Sequence, residues 1–332
     1  MELQTAIKVG LSALNCANPI IAVALSGGRD SVALLHAVNS LRDVIPMQLR
    51  AIHVHHGLNV QANDWAQFCA QLCTTLNIAH TQIAVNIDHA NTAGVEAHAR
   101  AARYKAFAQM SADAVLLAHH ADDQIETTLH RMFRGAGLTG LAGMQASRKL
   151  NERTQLLRPW LKISRAQIEE YVAQHALNWV EDNSNTNTAH TRNFLRHDIL
   201  PTLQTHFPQA KQAVSRMAQH AQEHAGFAEA LARIDLGMQS LDLDCVSPKI
   251  GTINAIGMMN IEALDTLPLA RQTNALYYFL RWQGINQFTY AELCTWAGLL
   301  FRPIQPNRPN RAGGHHVIIT RKRNGLWLKK VE

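Results

Sequence analysis

The segment PIIAVALSGGRDSVALLHAV, residues 19–38, decides the fold of this chain. Residues 19–25 are a continuous apolar run, which is typical of a parallel strand buried on both faces. The glycines at 27 and 28 then permit a tight turn, and residues 31–40 are predicted to form the helix that follows. A strand, a glycine turn and a helix in this order predict the first unit of an α/β domain.

The turn itself has the properties of a phosphate-binding loop. Gly27 and Gly28 remove side chains that would block a phosphate, and the N–H groups at a helix start favour an anion. Ser26 and Ser31 add hydroxyl donors, whereas Asp30 implies a cation such as Mg²⁺ between itself and the phosphate. The GxxxxGK(S/T) pattern of common ATP and GTP hydrolases is missing. A helix cap with incidental glycines is the alternative, and the SGGxDS context disfavours it.

Strand-like and helix-like stretches alternate outward from this segment through the first half of the chain. The alternation predicts right-handed βαβ units in a parallel sheet, with ligands at the carboxyl ends of the strands. Further strands are predicted at 49–56, 78–85 and 114–120, with an edge strand at 156–161. Helices are predicted at 61–77, 95–111, 121–134, 163–176 (capped by Ser164) and from about 206 to 225.

Length and composition narrow the class of protein. A chain of 332 residues makes two domains the default expectation. No apolar run approaches the roughly 18 residues that cross a bilayer, and the first residues lack a secretory signal. We therefore expect a cytoplasmic protein without a membrane partner.

The five cysteines include no CxxC, and Cys69 and Cys73 fit core thiols better than a metal or redox pair.

The excess positive charge lies at the end of the chain. The net charge is +6, and residues 302–332 carry eight Lys and Arg residues against one acidic residue. Among them are residues 321–323 and the pair Lys329 and Lys330. A basic surface that attracts nucleic acid and the solvated edge of a small β-structure are equal alternatives.

Histidines end the second predicted strand, in the order His53, His55 and His56. A zinc site is disfavoured because no nearby Cys or carboxylate completes a ligand set. The side chains of His53 and His55 share one strand face, whereas His56 lies on the other. Substrate-contacting or structural histidines are the preferred interpretation.

Two charged clusters lie on the helices that follow. Arg100 and Arg103 share a helix face, so they are either a phosphate clamp or a pair of surface arginines. Asp122, Asp123 and Glu126 begin the helix after the fourth strand. They either stabilise the helix start, by roughly 0.3–1 kcal/mol each, or bind Mg²⁺ or an incoming amine.

The ordered set of motifs resembles one family. SGGxDS is the signature of the PP-loop ATP pyrophosphatases, which have an adenine nucleotide alpha hydrolase-like fold. The set resembles tRNA(Ile)-lysidine synthetases over about residues 20–203, in the order SGGRDS, HVHHGL, RAARY, LAHHADDQIET, RGAGLTGLAGM, RPWL, EDNSN and RNFLRHDILP. It implies a parallel-sheet catalytic domain over 1–205 and one smaller, mixed, tRNA-binding domain over 206–332, built from a helical linker and a basic tail.

The resemblance also implies an activity. In such enzymes O2 of the wobble cytidine attacks the α-phosphate of ATP, and pyrophosphate leaves. The amine of L-lysine then attacks C2, and AMP leaves. The implied partners are ATP with Mg²⁺, L-lysine and the isoleucine tRNA with a CAU anticodon, which then reads AUA. The sequence leaves the oligomeric state open, with a homodimer among the candidates.

Roles for individual residues follow from the same resemblance. ATP binding is assigned to Ser26, Gly27, Gly28, Arg29, Asp30, Ser31 and His53. Catalytic roles are assigned to Asp30, Arg100, Arg103, Asp123 and Glu126, with Asp30 also the ligand of Mg²⁺. Substrate binding is assigned to Asp123, Glu126, Arg192 and Arg196. A structural role beneath the site is an equal alternative for the last two.

Three other functions compete with this one. A PP-loop tRNA thiolase shares the loop and the RNA substrate, but many thiolases rely on cysteine pairs. A PP-loop amidotransferase acting on a small molecule commonly adds a glutamine-handling domain. A non-catalytic tRNA-binding module would not need Asp30, Ser31 and the acidic cluster.

Overall fold

The chain forms two compact units, Met1–Ala221 and Gln222–Glu332, in a computed structural model. The structure describes residues 2–14, 16–55, 57, 61–85, 95–181, 191–237, 264–302, 310–314, 317–322 and 325–330. A turn is predicted at residues 182–185 of the EDNSN motif and lies outside the described residues, as do His56 and the side chain of Lys330. The functional division at 205 and 206 stays a prediction.

A six-stranded sheet forms the centre of the first unit. Its strands are β1 Ile20–Ala24, β2 Gln48–His55, β3 Ala79–Ala84, β4 Ala114–Leu116, β5 Ser147–Lys149 and β6 Gln155–Leu157. They lie in the order β3-β2-β1-β4-β6-β5, and every neighbouring pair is parallel except β5 with β6. The chain moves outward on one side of β1 and then crosses to the other side at β4. Such a switch point creates a crevice at the carboxyl ends of the strands.

Helices surround this sheet. They are α1 Glu2–Ser12, α2 Arg29–Asn39, α3 Ala62–Thr75, α4 Val95–Ala108, α5 Ala121–Phe133, α6 Leu138–Leu141, α7 Arg165–Gln174, α8 Thr191–Phe194, α9 Leu200–His206 and α10 Ala210–Asp235. A π-helical turn, Leu195–Ile199, joins α8 to α9. The predicted α2 to α5 and α7 are confirmed, and Ser164 caps α7 by accepting from the Gln167 N–H at 3.3 Å. Helix α10 begins later than predicted and continues past 225.

The predicted edge strand at 156–161 is wrong in position and length. Strand β6 has three residues and is flanked by β5, which is the edge. Pro159 cannot donate to a ladder, and Trp160 is fully buried, its Nε1 donating to the Leu3 carbonyl at 3.2 Å. Strand β5 is the exposed tripeptide Ser-Arg-Lys, which carries no apolar pattern from which to predict it.

The core of the first unit is apolar on both faces of β1. Ile21 and Val23 pack with α2 residues such as Leu34, while Ala22 faces a second cluster on the opposite side of the sheet. Burial raises the pKa of the Cys69 thiol to about 12 and that of Cys73 to about 11, with Cys73 adding to the effect on Cys69. Both side chains are fully buried and unbridged, so the prediction of core thiols is confirmed.

The second unit is smaller and mixed, as predicted. Helices Leu269–Trp282 and Tyr290–Leu300 accompany an antiparallel sheet of β7 Asn310–Gly314, β8 Val317–Lys322 and β9 Gly325–Lys330. Its core contains Leu276, Phe279, Trp296, Val317 and Ile319. None of the described helices is both long and apolar enough to span a membrane.

Arg321 is one basic residue of the tail that does not belong to an exposed surface. Its side chain is on the inner face of β8, and the residue is only 4% exposed. The guanidinium donates to both carboxylate oxygens of Asp265 and, at 3.2 Å, to the Leu300 carbonyl. Arg321 therefore stabilises the second unit, whereas Arg311 and Lys329 are exposed. Alternation along a strand, rather than charge density, decides which basic residues reach solvent.

Candidate active site

A cleft of about 670 Å³ lies at the carboxyl ends of β1, β2 and β4. It gathers most of the predicted site residues, which come from five separate segments of the chain. Those that line it are Ser26, Gly28, Arg29, Asp30, Ser31, His53, Arg100, Arg103, Asp123, Arg192 and Arg196. Gly27 and Glu126 are not among the lining residues.

The turn after β1 requires glycine at position 27. Gly27 has φ +89°, and a Cβ there would lie 2.8 Å from Val180 Cγ2 and 3.3 Å from Cys69 Sγ. The Gly27 carbonyl also accepts a hydrogen bond from the Val180 N–H at 3.0 Å. The loop is therefore held against α3 and the segment before residue 181, and a side chain would displace it.

The start of α2 offers backbone donors to an anion. Gly28 is the N-cap residue in extended conformation, and no side chain caps the helix. The Ser31 hydroxyl donates to the Gly28 carbonyl at 2.8 Å and accepts from the Ser26 N–H at 3.2 Å, which fixes the turn. First-turn N–H groups without a side-chain cap, at the positive end of a helix dipole, are suited to a phosphate.

A buried histidine that the sequence reasoning missed, His120, lies between two carboxylates. Its Nε2 is 3.6 Å from Asp30 Oδ2 and 3.6 Å from Asp123 Oδ2. Its backbone N–H donates to Asp123 Oδ2 at 3.1 Å. Asp30, in the turn after β1, and Asp123, in α5, thus both lie beside the imidazole of His120. The only sequence signal was the His-His pair directly after the fourth strand.

The pKa values of Asp30 and His120 are shifted in opposite directions. Burial works to raise the pKa of Asp30, but the hydrogen bond and charge of His120 and the charge of Arg29 outweigh it, so the pKa is lowered. Burial works to lower the pKa of His120, yet Asp30, Asp123 and Asp122 raise it overall. Asp30 is consequently ionised at neutral pH, and the protonated form of His120 is favoured.

The raised pKa of His120 predicts a pH-dependent stability. The contribution of His120 to the free energy of unfolding is fully present below pH 6.5, the ordinary histidine pKa. It is lost as the pH rises through the pKa that His120 has in the folded protein. We expect the wild type to have a higher free energy of unfolding than His120→Gln at pH 6. This difference should shrink as the pH rises to 9. Urea unfolding across this range measures it. A difference that grew with pH would show that His120 is buried in its neutral form.

The neighbouring His119 behaves in the opposite way. Burial lowers its pKa to about 3, Asp123 opposes the shift, and the charges of Arg158 and Arg100 reinforce it. The neutral ring accepts a hydrogen bond at Nδ1 from Arg158 Nε at 3.2 Å. The pKa values of two adjacent histidines in one cleft are therefore shifted in opposite directions.

Arginines converge on Tyr104 at the other wall of the cleft. The Tyr104 hydroxyl accepts from Arg100 Nη2 at 3.0 Å and from Arg158 Nη2 at 3.2 Å. The Arg148 guanidinium lies 4.5 Å from the ring centroid. Burial works to raise the pKa of Tyr104, but the arginines lower it overall. The predicted pair Arg100 and Arg103 thus belongs to a larger basic wall, of which Arg148 and Arg158 were missed.

Glu126 lies beneath the cleft and is held by Arg196. Glu126 is 1% exposed, and its two carboxylate oxygens accept from Arg196 Nε at 2.6 Å and Nη2 at 3.0 Å. Arg196 Nη2 also lies 3.5 Å from Asp123 Oδ1. Burial raises the pKa of Glu126 although Arg196 opposes the shift. On the same side, Arg192 Nη2 donates to the Thr127 hydroxyl at 2.7 Å.

The remaining predicted residues lie as follows. His53 is buried, with Nδ1 2.9 Å from the Leu25 carbonyl, and its ring lies 6.4 Å from that of His55. The Arg29 guanidinium forms ion pairs with Glu169 of α7 at 2.6 Å and with Asp30 at 3.1 Å. Arg29 therefore orients Asp30 and links the loop to α7.

The chemistry of the cleft fits a Mg²⁺ ion that also binds substrate. Mg²⁺ is usually held by one or two carboxylates together with phosphate oxygens and water. Asp30 supplies an ionised carboxylate, 32% exposed, beside the phosphate-binding turn. Within the described part of the chain, no three His, Cys, Asp or Glu side chains form a cluster suited to a metal. A cation here would depend on phosphate oxygens for its other ligands.

Comparison with known proteins identifies the first unit. The family of the PP-loop domain matches residues 2–203. The chain is 40% identical to the tRNA(Ile)-lysidine synthase of Ralstonia nicotianae over 274 residues, 81% of this chain and 56% of that protein. It is 45% identical to the enzyme of the same name from Alkalilimnicola ehrlichii over 266 residues, 80% of this chain and 56% of that protein. The chain spans little more than half the length of these curated relatives.

A solved structure shares the fold at low sequence identity. The U34-tRNA thiolase NcsA from Methanococcus maripaludis superposes with a TM-score of 0.57. It is 18% identical, and the match covers 67% of this chain and 78% of that one. At this identity the likeness concerns the fold alone.

Proposed function

Because the chain belongs to the PP-loop family, we propose that it is an ATP-dependent ligase that attaches lysine to C2 of the wobble cytidine of the CAU-anticodon isoleucine tRNA. The products are lysidine, AMP and pyrophosphate. One observation carries the proposal: the turn at residues 26–31, Asp123 of α5 and the arginine pair Arg100 and Arg103 line a single cleft. About 40% identity to lysidine synthases over this part of the chain supports the choice of substrate.

The first step forms the adenylated base. Cytidine O2 bonds to the α-phosphorus, the bond from that phosphorus to the bridging oxygen breaks, and pyrophosphate leaves. The turn at residues 26–31 holds the two departing phosphates through its N–H groups, and Arg100 and Arg103 offset charge on the α-phosphate. Asp30 would hold a Mg²⁺ ion, which would neutralise further charge on the leaving pyrophosphate.

The second step joins lysine to the base. The lysine amine bonds to C2, the C2–O bond breaks, AMP leaves, and the amine loses one proton. Asp123 lines the cleft and is the proposed group that orients the ammonium and accepts this proton. Glu126 has both oxygens engaged by Arg196, so its proposed role is to position Arg196 and, through it, Asp123.

Contacts to tRNA are proposed on both units, each considered separately. Arg192 and Arg196 line the catalytic cleft of the first unit. In the second unit the exposed Arg311 and Lys329 are suited to phosphate contacts, whereas Arg321 is committed to Asp265. The reaction belongs in the cytoplasm, where ATP and tRNA meet.

A labelled-lysine assay tests the proposal. We expect the purified protein to incorporate lysine into the CAU-anticodon isoleucine tRNA only with ATP and Mg²⁺. An isoleucine tRNA with a GAU anticodon is the matched control, because it lacks the wobble cytidine. Mass analysis of the digested nucleosides must show the added lysine. Absence of incorporation in complete reactions would overturn the function.

The same mass analysis tests the thiolase alternative, for which sulfur would be the added atom. Cys69 and Cys73 are fully buried with raised pKa values, which is unsuited to sulfur transfer. Cys245 lies outside the described residues. Neither Cys69 nor Cys73 therefore favours the thiolase.

A further inference from the structure

An apolar patch lies on the surface at the far end of α5. Phe133 is 65% exposed, Leu138 61% and Met132 38%. Arg134, also exposed, follows directly. On the same helix Ile125 and Leu129 are buried. Single exposed apolar residues are ordinary, but three within seven residues, at the end of α5 and the start of α6, call for an explanation.

We propose that Met132, Phe133, Arg134 and Leu138, hereafter the stacking patch, bind unstacked bases of the RNA substrate beside the reacting cytidine. This inference rests on the proposed function and adds a surface outside the catalytic cleft. None of the four residues lines that cleft.

The segment of residues 135–144, which follows α5 and contains Leu138, is held in place by side chains of α5. Arg131 Nη1 donates to the carbonyls of Gly140 at 3.0 Å and Gly143 at 2.6 Å. Gln124 Nε2 donates to the Met144 carbonyl at 3.1 Å, and Gln124 Oε1 accepts from the Met144 N–H at 2.7 Å. The buried contacts of the loop are thus made by its backbone.

Close packing between Gly143 and Gln124 depends on glycine at position 143. Gly143 has φ +66°, and a Cβ there would lie 2.6 Å from Gln124 Nε2. By contrast, nothing lies within 4 Å of a Cβ built at Gly135 or Gly137, next to the patch. The loop is therefore packed on its inner side and open on its outer side. A preformed, open surface binds with little ordering cost.

Charge selects the kind of partner. From Thr127 to Asn151 the chain contains four Arg and Lys residues and no acidic residue. Arg131 is committed to the loop carbonyls and Arg148 lies at the Tyr104 ring, whereas Arg134 is exposed next to the apolar side chains. An exposed arginine in a segment without acidic residues suits a partner that carries phosphates. Single-stranded bases bind through stacking on aromatic rings and arginine planes, with phosphates held by nearby cations. Phe133 next to Arg134 has this chemistry.

The length of α5 sets the spacing between the two sites. Asp123 and Phe133 are ten residues apart on one helix, which is about 15 Å at 1.5 Å per residue. One nucleotide cannot occupy both the cleft and the patch at this separation. The patch is consequently assigned to bases that flank the reacting cytidine in the anticodon loop.

The test compares three substitutions at one exposed position. Phe133→Ala is expected to raise the Kd for the CAU-anticodon tRNA by roughly 5- to 100-fold, the range for loss of one stacked base. Phe133→Tyr should keep the wild-type Kd within about twofold, because the ring is retained. Phe133→Leu, which is apolar but cannot stack, should behave like Ala. Fluorescence anisotropy with labelled tRNA measures the affinities.

A control is available at Val44, an apolar side chain that is 64% exposed in the same unit and does not line the cleft. Val44→Ala is expected to leave both tRNA affinity and lysine incorporation unchanged. The KM for ATP should be unaffected in every variant, since the patch lies outside the cleft.

Other outcomes overturn the assignment. Wild-type Kd in Phe133→Ala, with wild type active on tRNA, would remove the patch proposal and leave the proposed function intact. Full rescue by Phe133→Leu, or a shift in oligomeric state of Phe133→Ala by light scattering, would assign the surface to a protein contact. A wild-type protein that binds no tRNA would overturn both proposals.

Discussion

Asp30→Asn is expected to reduce lysine incorporation at least about a hundredfold, the loss seen when one preorganised electrostatic group is removed. The substitution keeps the size of the side chain but removes the charge that faces the phosphate loop. It also removes one of the two carboxylates beside His120 Nε2. Both the proposed Mg²⁺ contact and the charge of His120 therefore depend on Asp30. Asp30→Ala should have the same effect.

ATP–pyrophosphate exchange in the presence of tRNA separates the first step from the second. Asp30→Asn should lose exchange as well as incorporation. Asp43→Asn, at an exposed carboxylate away from the cleft, is the control and should retain both. Circular dichroism must show that the Asp30 variant is folded. Near-normal turnover by a folded Asp30→Asn would refute the assignment of the phosphate site.

Glu126→Ala is expected to lower the free energy of unfolding by about 3–5 kcal/mol, the usual cost of removing one partner of a buried ion pair. Glu126 is almost fully buried, and Arg196, whose side chain is 27% exposed, would lose both strong acceptors. Arg196→Ala should cost more than Glu126→Ala, because it leaves the buried Glu126 carboxylate without its partner, whereas an unpaired Arg196 is partly solvated. Urea unfolding of the single variants measures both effects.

The double variant Glu126→Leu with Arg196→Met tests whether the pair acts as a unit. Removing both charges leaves no unpaired charge, so the double variant should be more stable than Glu126→Ala alone. Lysine incorporation should nevertheless stay low, because Arg196 would no longer reach Asp123. Additive losses in stability would show that the two side chains do not interact energetically.

Local sequence pattern predicted the parts of the fold that depend on neighbouring residues. The apolar run at 19–25, the glycine pair and the Ser164 cap each have their cause within a few positions, and each is observed. Strand β5 was missed because three exposed polar residues have no periodicity. The burial of Arg321 was missed because charge alone does not reveal the face of a strand.

The site was predictable only in part, for a similar reason. Residues such as Asp30 carry a local signature, the strand–turn–helix around them. The Glu126 and Arg196 pair is separated by 70 positions and has no local signature. His120 likewise acquires its role only when β4 is placed beside β1, which brings it next to Asp30. Contacts between distant segments, rather than composition, set the charges in the cleft.

The hydrogen bond from Val180 to Gly27 has a consequence for biosynthesis. The proposed phosphate-binding turn emerges early from the ribosome, yet Val180 is translated more than 150 positions after Gly27. A nascent chain that ends before Val180 therefore contains the whole signature motif without the hydrogen bond that supports it. The proposed nucleotide affinity should consequently appear late, when the first unit is nearly complete.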